Sequence, residues 1–85
     1  MKWGLILSNP SRRALAKAPK ADVKAINHTL TAMCINVFEG DVRRLHGTRD
    51  IIRRRVGAWR ILYKIDLEHR VIIVVNIKRR DSQTY

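Results

Sequence analysis

The residues whose types and spacing could do chemistry lie in Arg53-Arg54-Arg55-Val56-Gly57-Ala58-Trp59-Arg60-Ile61-Leu62-Tyr63 and in the ending Lys78-Arg79-Arg80-Asp81-Ser82-Gln83-Thr84-Tyr85. Arginines stand here inside and at the ends of segments that otherwise read as buried strands. A guanidinium stays charged at neutral pH and presents a planar fork of donors that fits phosphate and carboxylate oxygens. Fixing several of them on a rigid sheet is costly unless they meet an anion, so a polyanion is the first partner to consider. Side chains alternate along a strand, which puts Arg53 and Arg55 on one face, roughly 6.5 Å apart, and Arg54 on the other with Ile52 and Val56. Two guanidiniums on one face can grip a phosphate chain, while Arg54 can cover apolar surface with its stem and keep its head in water. The competing reading of the same residues is a solvated basic face.

In the following strand Arg60 shares a face with Leu62 and Lys64, opposite Trp59, Ile61, Tyr63 and Ile65. An arginine flanked by apolar residues is a stronger site candidate than a terminal one; the alternative is an ion pair with Asp66, Glu68 or Asp81. Trp59 and Tyr63 alternate with Ile61 and Ile65 and read as core residues rather than base-stacking platforms. At the chain end, Lys78, Arg79 and Arg80 leave an apolar strand and Tyr85 follows, an arrangement that by itself could be a frayed tail.

Other chemistries find no support. No phosphate-binding glycine loop, paired carboxylates or Ser-His-Asp set can be assembled. His28, His46 and His69 fall on a helix, a loop and a hairpin loop, and no Cys or His pair has zinc-ligand spacing, so neither metal nor cofactor is expected. Cys34 lies on or beside a helical stripe and reads as a small buried residue. Catalysis, if present, must rest on arginine and a phenol. Such a set suits a reaction in which negative charge grows on phosphorus oxygens, where fixed cations stabilise the transition state more than the ground state. Cleavage of RNA is one, because the 2′-hydroxyl of the substrate supplies the nucleophile.

Charge supports a nucleic acid partner. Eighteen Lys and Arg against seven Asp and Glu give a net +11 on 85 residues. The excess is uneven: residues 1–42 hold six basic and three acidic side chains, residues 43–85 hold twelve and four, so the polyanion face should lie on the C-terminal half. With 46% apolar residues the chain is too hydrophobic for a disordered basic tail, and its length suits one domain, residues 1–85, with a thin core. The single cysteine fits a reducing, cytoplasmic setting. The apolar opening Trp3 to Leu7 is ended by Ser8-Asn9-Pro10 before it reaches the length of a signal-peptide core or membrane span, and reads as a first strand.

The elements that must position the arginines follow from periodicity. Asn9 as N-cap with Pro10 at the first helical position opens a short helix that stops before Pro19. A second helix carries Val23, Ile26, Leu30, Met33 and Val37 on one stripe, with Lys20, Asp22, Lys24 and Asn27 elsewhere, and Gly40 is a suitable stop. Asp41 to Arg49 is polar and reads as the connection to the sheet. Ile51 to Val56 and Trp59 to Ile65 then form strands about a Gly57-Ala58 turn, Asp66 to His69 forms a second hairpin loop, and Val71 to Ile77, apolar at both parities, should be a central strand. The expected fold class is α+β: two N-terminal helices on one face of a mostly antiparallel, twisted four-stranded sheet in the order β-α-α-β-β-β.

Taken together, these residues resemble the RelE/ParE superfamily of bacterial toxins from toxin-antitoxin pairs, and the resemblance covers nearly the whole chain. It runs from Ser8-Asn9-Pro10-Ser11-Arg12-Arg13-Ala14-Leu15 through Leu45-His46-Gly47 and the Arg-Val-Gly-x-aromatic-Arg hairpin to Arg79, Arg80 and Tyr85. It implies a microbial-ribonuclease-like fold. The RelE branch cuts messenger RNA in the ribosomal A site, so the resemblance implies a ribosome-dependent endoribonuclease that inhibits translation. By similarity Arg60 and Arg79 match arginines that hold and neutralise the scissile phosphate, and Tyr85 matches a tyrosine that positions the substrate. Arg53, Arg55, Arg80 and Lys78 would bind RNA.

Arg53 and Arg55 stand where the best-known member has lysines that take part in proton transfer. Arginine is a poor general base, so electrostatic stabilisation survives this change and lysine-based proton transfer does not. The chain also stops at Tyr85, without the extra C-terminal helix that some members have and that is linked to antitoxin control. The ParE branch shares the scaffold, poisons DNA gyrase and generally lacks the ribonuclease residues; a non-catalytic RNA- or ribosome-binding module is the third alternative. Either toxin reading implies a cognate antitoxin whose acidic and apolar segment covers the basic face, with DNA engaged only indirectly through the antitoxin complex.

Overall fold

A computed structural model describes residues 3–36, the backbone of residues 42–44, and residues 51–80. The expected roles of Val37, Gly40, His46, Gly47, Asp81 and Tyr85 fall outside the described residues. The chain builds β1 (Gly4–Leu7), α1 (Asn9–Lys17), α2 (Lys20–Ile35), β2 (Val42–Arg44), β3 (Ile52–Val56), β4 (Trp59–Asp66) and β5 (Val71–Arg79). The sheet order is β1-β5-β4-β3-β2, in which β1 pairs parallel with β5 and every other pairing is antiparallel. The predicted class, two helices followed by a mostly antiparallel sheet, is therefore the observed one. It gains a short fifth strand: Val42–Arg44, read from its polarity as connection, pairs along the edge of β3. Three residues with one apolar side chain carry too little period-2 signal to be read as a strand.

Ser8, not Asn9, caps α1. Its Oγ accepts from the N–H of Ser11 at 3.3 Å, and Asn9 and Pro10 occupy the first helical positions, where the missing N–H of proline forgoes no helical bond. The helix stops at Ala18, ahead of Pro19. In α2 the predicted stripe is buried at Ile26, Leu30 and Met33. The chain leaves helical geometry at Asn36, short of the expected stop at Gly40. One carbonyl of that last turn, on Cys34, accepts from the N–H of Trp3 at 2.8 Å, so the end of α2 is fastened to the start of β1.

Stripe residues of α2 meet Trp59, Ile61 and Tyr63 of β4 and Ile72, Val74 and Ile77 of β5 in a single cluster. Trp59 and Tyr63 are core residues, as their alternation predicts. Burial raises the Tyr63 phenol above its ordinary pKa, with Arg54 nearby acting in the opposite direction.

One irregularity governs the side-chain parity of β5. Tyr63 pairs with Val74 but Leu62 pairs with Asn76, so Val75 is an extra residue, a β-bulge. The buried positions accordingly run Ile72, Val74, Ile77 instead of alternating strictly. The carbonyls at the bulge are bound by the start of α1. Ser8 Oγ donates to the Val75 carbonyl at 2.7 Å, while Ser11 Oγ and the Ser8 N–H donate to that of Val74 at 3.1 and 3.0 Å.

Both hairpins use left-handed residues. Gly57 has φ 57° in the turn from β3 to β4, where a side chain would strain the backbone although a Cβ would meet nothing within 4 Å. In the turn from β4 to β5 Arg70 has φ 54°, and its guanidinium lies over the Trp3 ring, 5.1 Å from the centroid. Asp66 closes that turn by accepting from the His69 ring at 2.9 Å and from its N–H at 3.1 Å. The same bonds hold its carboxyl below the usual carboxylate range.

Candidate functional site

Register decides which arginines meet. Arg55 of β3 faces Arg60 of β4, which faces Lys78 of β5, so three cationic residues form a row across three strands on the sheet face away from the helices. Arg53 lies two residues along on the same face, opposite Leu62. Like charges directly opposite each other destabilise a sheet.

Arg80 completes the arrangement. It is the first residue past β5, and its N–H donates to the Ala58 carbonyl at 2.5 Å, which fastens the end of β5 to the β3–β4 turn. Arg53, Arg55, Arg60 and Arg80 line a shallow cleft of about 70 Å³. That is far below the roughly 300–1,000 Å³ of pockets that enclose a whole small molecule, and it suits one anionic group of a longer ligand lying across the surface. No described carboxylate lines it. Arg60 is only half-exposed, and its Nε is buried and donates to no described residue.

Of the acidic residues considered as partners of Arg60, Asp66 and Glu68 are elsewhere, and Asp81 lies outside the described residues. Asp66 lies at the far end of β4, roughly 20 Å away along an extended strand, and is bound to His69. Glu68 belongs to the same distal turn.

Arg79 is not in the cleft. The bulge places it opposite Trp59 on the helix-facing side, with its Cζ 6.0 Å from the centre of the Trp59 ring. Arg54 is on that side too, opposite Ile61 and close enough to Tyr63 to act on its phenol. Lys78 faces Arg60 in register but does not line the cleft. The structure thus brings together Arg53, Arg55, Arg60 and Arg80 of the residues singled out in the sequence, and sets Arg79 on the flank of the same strand end.

The sequence reading missed Asp22, noted only as a residue off the apolar stripe of its helix. Its Oδ2 accepts from the indole N–H of Trp59 at 3.0 Å, joining the first turn of α2 to the first residue of β4. Nothing in local sequence pattern marks a pairing between residues 22 and 59. Among the described residues no three His, Cys, Asp or Glu side chains come together as a metal site, and no described helix is long and apolar enough to cross a membrane.

The architecture is shared with solved toxins. The archaeal RelE in its complex with RelB from Pyrococcus horikoshii OT3 superposes with a TM-score of 0.79 at 24% identity, over 96% of this chain and 99% of that one. Isolated RelE toxin of E. coli gives 0.81 at 13% identity, over 96% and 88%. Among curated sequences, one from Methanocaldococcus jannaschii that bears the name RelE1 is 25% identical, over 96% of this chain and 94% of its own length. The family model described as ParE toxin of type II toxin-antitoxin system, parDE, matches residues 5–84. A match of that extent shows that the chain belongs to the family of ParE toxins of type II toxin-antitoxin systems, and the superpositions show that it has the fold of RelE.

Proposed function

We propose that this toxin is a ribosome-dependent messenger RNA endoribonuclease. The observation that carries the reading is the four-arginine cleft. Arg53 and Arg55 of β3, Arg60 of β4 and Arg80 after β5 converge on a space sized for a phosphate, on strands that cannot relax away from one another. Negative charge developing on the oxygens of a phosphorane-like transition state is then met by cations already in place, without reorganisation at the moment of reaction.

Within this reading Arg60 and Arg80 neutralise the scissile phosphate, and Arg53, Arg55 and Lys78 hold the flanking backbone. Arg79 reaches the RNA from the helix side of the strand end. Tyr85 keeps the positioning role that the superfamily resemblance implies. The 2′-hydroxyl of the substrate is the nucleophile. Among the described residues the cleft is lined by arginines alone, and arginine cannot act as a general base at neutral pH. Intrinsic cleavage should therefore be slow, with most of the acceleration supplied by the ribosome through orientation of the RNA.

The partner class for neutralisation is an antitoxin with an acidic and apolar segment that covers the arginine row. The complexes of RelE with RelB among the structural relatives support this.

A second reading, inhibition of DNA gyrase, is favoured by the description of the family model as the toxin of parDE. Primer extension on messenger RNA translated in a cell-free system separates the two when a supercoiling assay is run beside it. New 5′ ends that need ribosomes and disappear with Arg60→Ala support the nuclease. Intact RNA with inhibited supercoiling moves the chain to gyrase, and neither effect leaves a basic binding module.

A further inference from the structure

Arg79 is an exposed side chain at the end of a strand, and a free arginine in that position samples many rotamers. Here it does not stand alone. Its strand partner is Trp59, whose ring carries the guanidinium, and Trp59 is itself fixed from beneath by Asp22. A buried tryptophan needs an acceptor for its N–H, and a neutral carbonyl would serve. A carboxylate does more: a negative acceptor on the indole N–H polarises the ring and strengthens the pull of its face on a cation. Asp22 is stable there because it lies in the first turn of α2, where the helix dipole favours negative charge.

We infer that Asp22 and Trp59 are positioning residues for Arg79, forming a relay that runs from the helix layer through the indole to the guanidinium. The inference rests on the nuclease reading above, in which Arg79 works on the RNA. It makes the first turn of α2, a surface that carries none of the cleft arginines, a determinant of turnover.

Four single variants and one double variant test it by ribosome-coupled cleavage, with kcat and KM measured separately. Asp22→Ala should lower kcat about fivefold with KM unchanged, the size of a lost cation–π restraint. Asp22→Asn, which keeps an acceptor without its charge, should recover only part of that loss. Trp59→Phe keeps a ring face but removes the N–H, and should match Asp22→Ala even if the latter folds poorly. In an Arg79→Ala background Asp22→Ala should cost nothing further, because the relay has lost its target.

An equal loss with and without Arg79 would mean that Asp22 merely supports the fold, and would overturn the relay. Wild-type turnover in Arg79→Ala would overturn the part given to Arg79 and the relay with it, whereas no ribosome-coupled cleavage by the wild type would overturn the nuclease reading beneath both. Loss in Arg79→Ala with full turnover in Asp22→Ala would overturn the relay alone. A readout independent of activity is the ring-current shift of the Arg79 side-chain protons in NMR spectra of the full chain. It should be present in the wild type and diminished in Asp22→Ala, and an unchanged shift in the folded variant refutes the link whatever the activity.

Discussion

The hydroxyl of Ser8 donates to the carbonyl of Val75 at 2.7 Å while accepting from the N–H of Ser11 at 3.3 Å. One oxygen atom thereby caps a helix and satisfies a carbonyl of the bulge residue in the adjacent strand. Removing it disturbs both.

Ser8→Ala should accordingly destabilise the fold by about 1–2 kcal/mol, at the upper end for a lost N-cap because a bulge carbonyl is released as well. Urea unfolding would show the loss as a lower midpoint at an unchanged slope. Ser8→Asn, which can cap but does not offer the same hydroxyl to Val75, should recover only part of it.

Arg55 and Arg60 face each other across the β3–β4 pairing with two further arginines at the cleft. An anion bound there should raise the melting temperature, and the rise should grow with the logarithm of its concentration above the dissociation constant. Titration with sulfate, followed by a short RNA, is expected to stabilise the wild type, with a clearly smaller effect in Arg55→Gln. Thermal melts at fixed ionic strength measure the difference.

Arg80→Ala removes a cleft residue and Arg79→Ala a flank residue, so the two should separate. Loss of Arg80, a group at the scissile phosphate, is expected to lower cleavage most and to reduce the slope of log affinity against log salt by about 1, as for one phosphate contact. Loss of Arg79 is expected to lower cleavage less than loss of Arg80, with binding little changed. Fluorescence anisotropy across a salt series, beside the cleavage assay, tests both.

Gly57→Ala should cost about 1 kcal/mol through backbone strain alone, since φ is 57° and no atom lies near the added Cβ. The turn that Gly57 shapes also holds the Ala58 carbonyl that receives the Arg80 N–H. RNA affinity should therefore fall together with stability.

Tyr63 supplies a test in alkaline solution. Its folded pKa is raised above the ordinary value of a phenol, chiefly by burial. The sign follows from proton counting: once the pH passes the unfolded pKa, the unfolded chain releases this proton first. The contribution is thus complete below about pH 10 and is lost as the pH climbs through the folded pKa. Tyr63→Phe should make the fall in stability above about pH 10 shallower, as measured by chemical unfolding at each pH.

Alternation was enough to place β4 and an apolar run at both parities to place β5, and the Gly57-Ala58 turn marked β3 and β4 as a hairpin. The stripe of α2 was legible because Ile26, Leu30 and Met33 recur at helical spacing, and the arginine face because Arg53 and Arg55 alternate around Arg54. Other features are set by contacts between distant residues. Ser8 won the cap from Asn9 because its hydroxyl has strand carbonyls to bind, and Asp22 acquires its role only when α2 is laid over Trp59. The grouping of Arg80 with Arg60 depends on the bulge at Val75, which breaks the alternation that a sequence reading must assume. The resemblance gave Arg79 the scissile phosphate and Arg80 an RNA contact, and the sheet sets the two on opposite sides.

That extra residue makes the charge layout depend on how the backbone pairs rather than on composition. The same residues paired without the bulge would alternate strictly from Val74 onward, and everything downstream would turn to the opposite face. Arg79 would then face the cleft and Arg80 would turn toward Trp59, with no basic residue lost. Two relatives with the same arginines could therefore present different electrostatic surfaces to a partner, and aligning them without regard to this insertion would equate side chains that point in opposite directions.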